Sequence, residues 1–74
     1  MGLIKTDGYL VKGVEIKPAY TKITRVYLEN RNNAVAYFGL SNNRENLNNG
    51  EILEEIYTKA KEEIFNNWQD DIVE

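Results

Sequence analysis

Residues 20–40 read YTKITRVYLENRNNAVAYFGL, and the way the two halves of this run face each other decides the fold. Threonine, isoleucine, valine, tyrosine and phenylalanine suit a pleated, half-buried surface, and they dominate the run. Asn30-Arg31-Asn32-Asn33 separates the halves with turn-forming side chains. The run therefore reads as an antiparallel hairpin of strands 22–29 and 33–40. With Leu28 opposite Val35, one face carries Ile23, Tyr27, Ala34, Ala36, Phe38 and Leu40, and the other carries Val26, Leu28, Val35 and Tyr37. An antiparallel sheet with one wet face alternates apolar and polar residues. This hairpin is apolar on both faces, and a single helix follows it. The second face needs a cover, either the N-terminal segment or a second copy of the chain. A slip of one residue at the turn would exchange the faces.

Working outward toward the N-terminus, Asp7-Gly8 and Lys12-Gly13 are candidate turns, because glycine supplies the positive φ that tight hairpins need. Residues 3–6 and 9–11 are expected to pair through the first of them. Residues 14–17 alternate as a short strand, which Pro18 ends because it lacks the ladder donor. On the other side, 41–50 (SNNRENLNNG) is a polar loop containing five asparagines. Asn48, with Glu51 three residues later, fits a capping box. A helix is expected over about 49–68, followed by an acidic tail, 69–74. Leu53, Ile56, Tyr57, Ala60, Ile64 and Trp68 make its apolar stripe at helical spacing, with Glu55, Lys59, Glu62 and Asn66 opposite. Phe65 and Ile72 fall about a quarter turn off the stripe. Either Phe65 tucks against a loop or sheet edge, or Phe65, Trp68 and Ile72 form a subunit contact, since aromatic residues are enriched at interface cores.

Composition narrows the function classes. The chain has 74 residues and no cysteine or histidine. Disulfides, thiolate catalysis, zinc ribbons and iron–sulfur clusters are excluded, and the commonest general base is missing. A domain this small has a marginal core and usually needs a staple or a partner, so a homo-oligomer is expected, most simply a dimer. Hydrophobic residues at 42% argue against disorder. No apolar run approaches the roughly 18 residues of a membrane span, and the N-terminus lacks the blocks of a secretory signal. Met1-Gly2-Leu3-Ile4-Lys5-Thr6 matches the short myristoylation pattern, but that pattern is often matched by chance, and an ordinary start leading into a strand is the plainer reading. No membrane attachment and a cytoplasmic or virion-associated location are expected.

The charge is unevenly divided. Residues 1–44 carry +4 and residues 45–74 carry −7. The plainest reading is a solvated helix face with a solubilising tail. A second is that the acids, Glu55, Glu62 and Glu63 foremost, imitate duplex phosphates and block a nucleic-acid enzyme of a host. A third sets Lys17, Lys22, Arg25 and Arg31 beside Tyr20 and Tyr27 as a face for single strands, although the surplus of acid disfavours nucleic acid as a partner. Serines and threonines have no histidine to activate them. Adjacent acid pairs splay around a helix, and glycines stand singly rather than in a phosphate loop. No catalytic residue, metal ligand or cofactor is expected, and the chain reads as a non-enzyme.

The run Gly13-Val14-Glu15-Ile16-Lys17-Pro18-Ala19-Tyr20-Thr21-Lys22-Ile23, with the strands after it, resembles small proteins of phages and prophages of Gram-positive bacteria. The likeness covers about residues 10–40. It implies a virion-morphogenesis or accessory protein that works by binding, with no catalytic residues to carry over. Together these readings give one α+β domain over residues 1–74: a three- or four-stranded antiparallel meander within about 3–40, then one C-terminal amphipathic helix packed on the face of Ile23, Tyr27, Ala36, Phe38 and Leu40. The candidate interface is Val26, Leu28, Val35, Tyr37, Phe65, Trp68 and Ile72. The expected partner is the chain itself, with another phage or host protein as a further one.

Overall fold

The computed structural model describes residues 1–48 and 51–71. Among them the chain forms strands β1 (Gly2–Lys5), β2 (Tyr9–Val11), β3 (Val14–Ile16), β4 (Ala19–Leu28) and β5 (Ala34–Ser41). A single 3₁₀ turn (Arg44–Asn46), helix α1 (Glu54–Glu63) and strand β6 (Gln69–Asp71) follow. The fold is α+β and antiparallel, as the sequence predicts, but it is not a meander capped by a helix. A four-stranded sheet runs in the order β5-β4-β1-β6, and β2 and β3 form a separate pair.

Both early turns exist with different roles. At Lys12-Gly13 both residues have positive φ, 49° and 82°, as the two-residue β2–β3 connection requires. At the other turn the Gly8 amide donates to the Lys5 carbonyl at 3.2 Å, with Gly8 at φ 92°. That turn does not close a hairpin. It sends the chain off to the small sheet, so β1 does not pair with β2 but lies between β4 and β6, with Leu3 opposite Thr21 on one side and Asp70 on the other. Gly2 sits where a Cβ would lie 2.7 Å from the Thr21 carbonyl oxygen.

The central hairpin departs from the expected register along its whole length: Leu28 stands opposite Ala34 rather than Val35, and past an irregularity at Thr24 the offset grows from one residue to two. Ile23 pairs with Phe38, but Arg25 pairs with Tyr37, and Thr24 is an extra residue in β4. Such a bulge reverses which face the later side chains take. Val26 therefore returns to the side of Ile23 and Phe38 and packs against the core, while Tyr27 turns to the far side, opposite Val35. The expected partition is thus corrected: the helix face carries Ile23, Val26, Leu28, Ala36, Phe38 and Leu40. Hydroxyls stitch the irregular region together. Thr24 Oγ1 donates to the Tyr37 carbonyl at 3.1 Å, and Thr21 Oγ1 to that of Gly39 at 2.8 Å.

Helix α1 is shorter than its apolar stripe. It starts at Glu54, and Leu53 caps it with no side-chain hydrogen bond, so Asn48 and Glu51 do not form the expected capping box. Glu54 and Glu55 in the first turn suit the positive end of the helix dipole. At the other end, the amides of Ile64 and Phe65 both donate to the Ala60 carbonyl, at 2.8 and 2.7 Å. The second bond reaches back five residues, widening the last turn and rolling Phe65 inward. Ile64, which the stripe places inside, is left 60% exposed. A turn closed by the Trp68 amide on the Phe65 carbonyl at 3.1 Å then leads into β6, so the expected acidic tail begins as a strand. Residues 72–74 of that tail, Ile72 included, and Asn49 and Gly50 of the expected helix start lie outside the described residues.

The core sits between the helix and the inner sheet face: Leu3, Ala19, Ile23, Tyr57, Ala60, Phe65 and Trp68. It is strongly aromatic. Phe65 meets Trp68 edge-on at 5.0 Å and Phe38 at 5.4 Å. Tyr9 of the small hairpin closes on Trp68 at 5.4 Å. The Tyr57 hydroxyl, fully buried, accepts from the Ile23 amide at 2.8 Å and donates to the Met1 carbonyl at 3.0 Å. Two residues beyond the Leu3–Thr21 pair, Met1 stands opposite Ile23, so this hydroxyl takes the place of the next rung of the β1–β4 ladder.

Candidate interaction surface

The N-terminal segment does not cover the second face of the sheet. β1 widens the sheet and the β2–β3 hairpin packs on the helix side, against Phe65 and Trp68, so neither covers the outer face. At one end of it, Tyr27 and Tyr37 meet edge to face at 5.7 Å. The Arg25 guanidinium donates to the Tyr27 hydroxyl at 2.8 Å, and half-buried Val35 stands opposite Tyr27. The two tyrosines stay 47% and 54% exposed, a large exposure for aromatic rings on adjacent strands.

The middle of the face is closed by local packing. Lys22 is nearly buried, its stem lying so close over Gly2 that an added Cβ would be 2.9 Å from Lys22 Cγ. Leu47 and Thr24 crowd Gly39 in the same way, each with a carbon 3.0 Å from where its Cβ would be. At the far end, the Arg44 guanidinium lies 5.0 Å over the Tyr20 ring and pairs with buried Asp71 at 3.3 Å. The 3₁₀ turn that carries Arg44 is set by its own polar residues: the Glu45 amide donates to Asn43 Oδ1 at 3.0 Å and the Asn43 amide to Ser41 Oγ at 3.1 Å. The asparagine-rich loop therefore folds back over the sheet and ties down β6.

Of the candidate interface residues, Val35 and Tyr37 share the open face. Val26 lies against the core on the opposite side, and Leu28, also on that side, is 84% exposed at the end of β4. Phe65 and Trp68, each 5% exposed, belong to the core and offer nothing to a partner subunit. Trp68 continues a helical stripe that the chain abandons at Ile64, and Phe65 falls about a quarter turn off it. The acidic candidates Glu55, Glu62 and Glu63 are exposed on α1, on the other side of the molecule from Tyr27 and Tyr37. Lys59 stands between Glu55 and Glu63 at four-residue steps. Arg25 and Tyr27 join the open face because of the bulge, and its signal was legible: consecutive polar residues Thr24 and Arg25 part Ile23 from Val26, and a regular strand would set those two on opposite faces.

Among the described residues, no group of three or more acidic side chains converges to hold a metal ion, and every buried side-chain oxygen or nitrogen has a hydrogen-bond partner. Burial pushes the Tyr57 hydroxyl above its ordinary value, but both of its bonds go to backbone. No helix among the described residues is long and apolar enough to cross a membrane. The chain matches no family model, no curated protein and no solved structure.

Proposed function

We propose that this chain is a small non-enzymatic binding module that associates with copies of itself through the open end of the sheet, at Arg25, Tyr27, Val35 and Tyr37. The observation that carries this reading is the Tyr27–Tyr37 pair, half exposed and fixed by Arg25 on a face that neither helix nor hairpin covers. Tyrosine and arginine are the side chains that dominate the buried centres of interfaces, and the pre-set Arg25–Tyr27 contact reduces the ordering entropy lost on docking. The resemblance of residues 10–40 to small phage and prophage proteins favours an assembly or accessory role. Imitation of nucleic acid by the helix fits less well, because Lys59 interrupts the run of carboxylates.

Absolute mass by light scattering after size exclusion, over a range of concentrations, tests the reading. The wild-type chain is expected to form an oligomer. The Tyr27→Ser/Tyr37→Ser double variant is expected to remain folded by circular dichroism and to elute as a monomer. A wild-type chain that stays monomeric at every concentration would refute self-association.

A further inference from the structure

Resting on that reading, we propose that the second copy docks head to tail, with the outer sheet face of one copy receiving helix α1 of the next. The charges of the molecule are sorted by side. On the open end of the outer face β4 exposes Arg25, Lys22 being nearly buried, and neither β4 nor β5 places a carboxylate there. Glu29 follows in the connecting turn, beside exposed Arg31. On the opposite side α1 exposes Glu54, Glu55, Glu62 and Glu63 against Lys59, since Lys61 is taken up by Asp70 at 2.9 Å. These complementary surfaces lie on opposite sides of one sheet and cannot meet within one molecule. They can meet between two.

A two-fold pairing of open face on open face would set cation near cation and leave the acids of α1 without a counterpart. A head-to-tail contact instead brings Arg25 to the carboxylates of the next helix and sets exposed Ile64 against the Tyr27–Tyr37 pair. Because the two contacting surfaces differ, each added copy presents a fresh one. Such heterologous contacts give rings if the rotation closes and filaments if it does not.

Charge reversal tests the geometry, with mass again read by light scattering at low ionic strength and folding checked by circular dichroism. Wild type is expected to grow past a dimer as concentration rises. Arg25→Glu alone and Glu62→Lys/Glu63→Lys alone are each expected to weaken association on the order of tenfold or more, because like charges then oppose one another. The chain carrying all three substitutions is expected to regain association, since its reversed surfaces again complement each other. Glu55→Lys serves as an independent helix reversal should the paired one disturb folding. A dimer lost on Arg25→Glu but indifferent to every helix reversal would overturn the head-to-tail arrangement and leave self-association standing, as would a triple variant that stays monomeric. A monomeric wild type would overturn both.

Discussion

Tyr57 shows how much one side chain can decide in a small domain. Its ring is core and its hydroxyl is a rung of the sheet. Tyr57→Phe keeps the ring but leaves the buried Ile23 amide without its acceptor, which should lower unfolding stability by about 1–3 kcal/mol, read from urea unfolding. The hydroxyl also sets a pH dependence. Burial raises its pKa above the ordinary 10.0, so the folded chain holds this proton more tightly than the unfolded one. Its contribution is complete below pH 10.0 and is lost as pH rises through the higher folded value, because the unfolded chain ionises first. Wild type should therefore lose more stability above pH 10.0 than Tyr57→Phe does, as urea midpoints on either side of that pH would record. Gly2 is a second such position: with its Cβ site 2.7 Å from a backbone oxygen, Gly2→Ala should lower the thermal midpoint by an amount equivalent to about 1–3 kcal/mol. Neither role was visible in the sequence, where Tyr57 was one of six stripe residues and Gly2 part of a modification pattern.

At the scale of elements, the hairpin and the helix were legible because their apolar residues recur with the right period. What periodicity concealed were the places where the chain changes its period. Thr24 shifts the strand by one residue and exchanges Val26 with Tyr27. Ile64 and Trp68 continue the helical stripe after the backbone has left the helix, and Asn66-Asn67, a turn signal, marked the departure. The corrected faces predict opposite outcomes for two similar substitutions. Val26→Asp places a carboxylate against the core and should abolish cooperative unfolding. Tyr37→Asp, on the open face, should leave the circular dichroism spectrum intact and lower the mass in solution. Equal behaviour of the two variants would contradict the register.

For the whole molecule, fold class was legible and layout was not. Composition and turn signals indicated strands before a helix, but nothing local announces that β6 will return to pair with β1, since that contact joins opposite ends of the described chain. The surplus of charge on each half also read as a statement about sequence. In three dimensions it becomes a difference between two sides of a sheet, and the proposed head-to-tail association would be sensitive to salt. Raising ionic strength from about 0.1 M to about 1 M shortens the screening length from roughly 10 Å to roughly 3 Å. Average mass at fixed concentration should fall accordingly, as sedimentation velocity would measure.

The placement of β1 also carries a temporal consequence. Its two neighbours, β4 and β6, both come later in the chain. As the polypeptide is made, β1 lacks both of these neighbours until residues 19–21 appear, and its other edge waits for residues 69–71. Closing contacts over so much intervening chain is the slow part of folding. β1, made before both of its neighbours, is thus enclosed only when the later of them arrives, and a free chain halted between β4 and β6 would keep β1 as the open margin of its sheet.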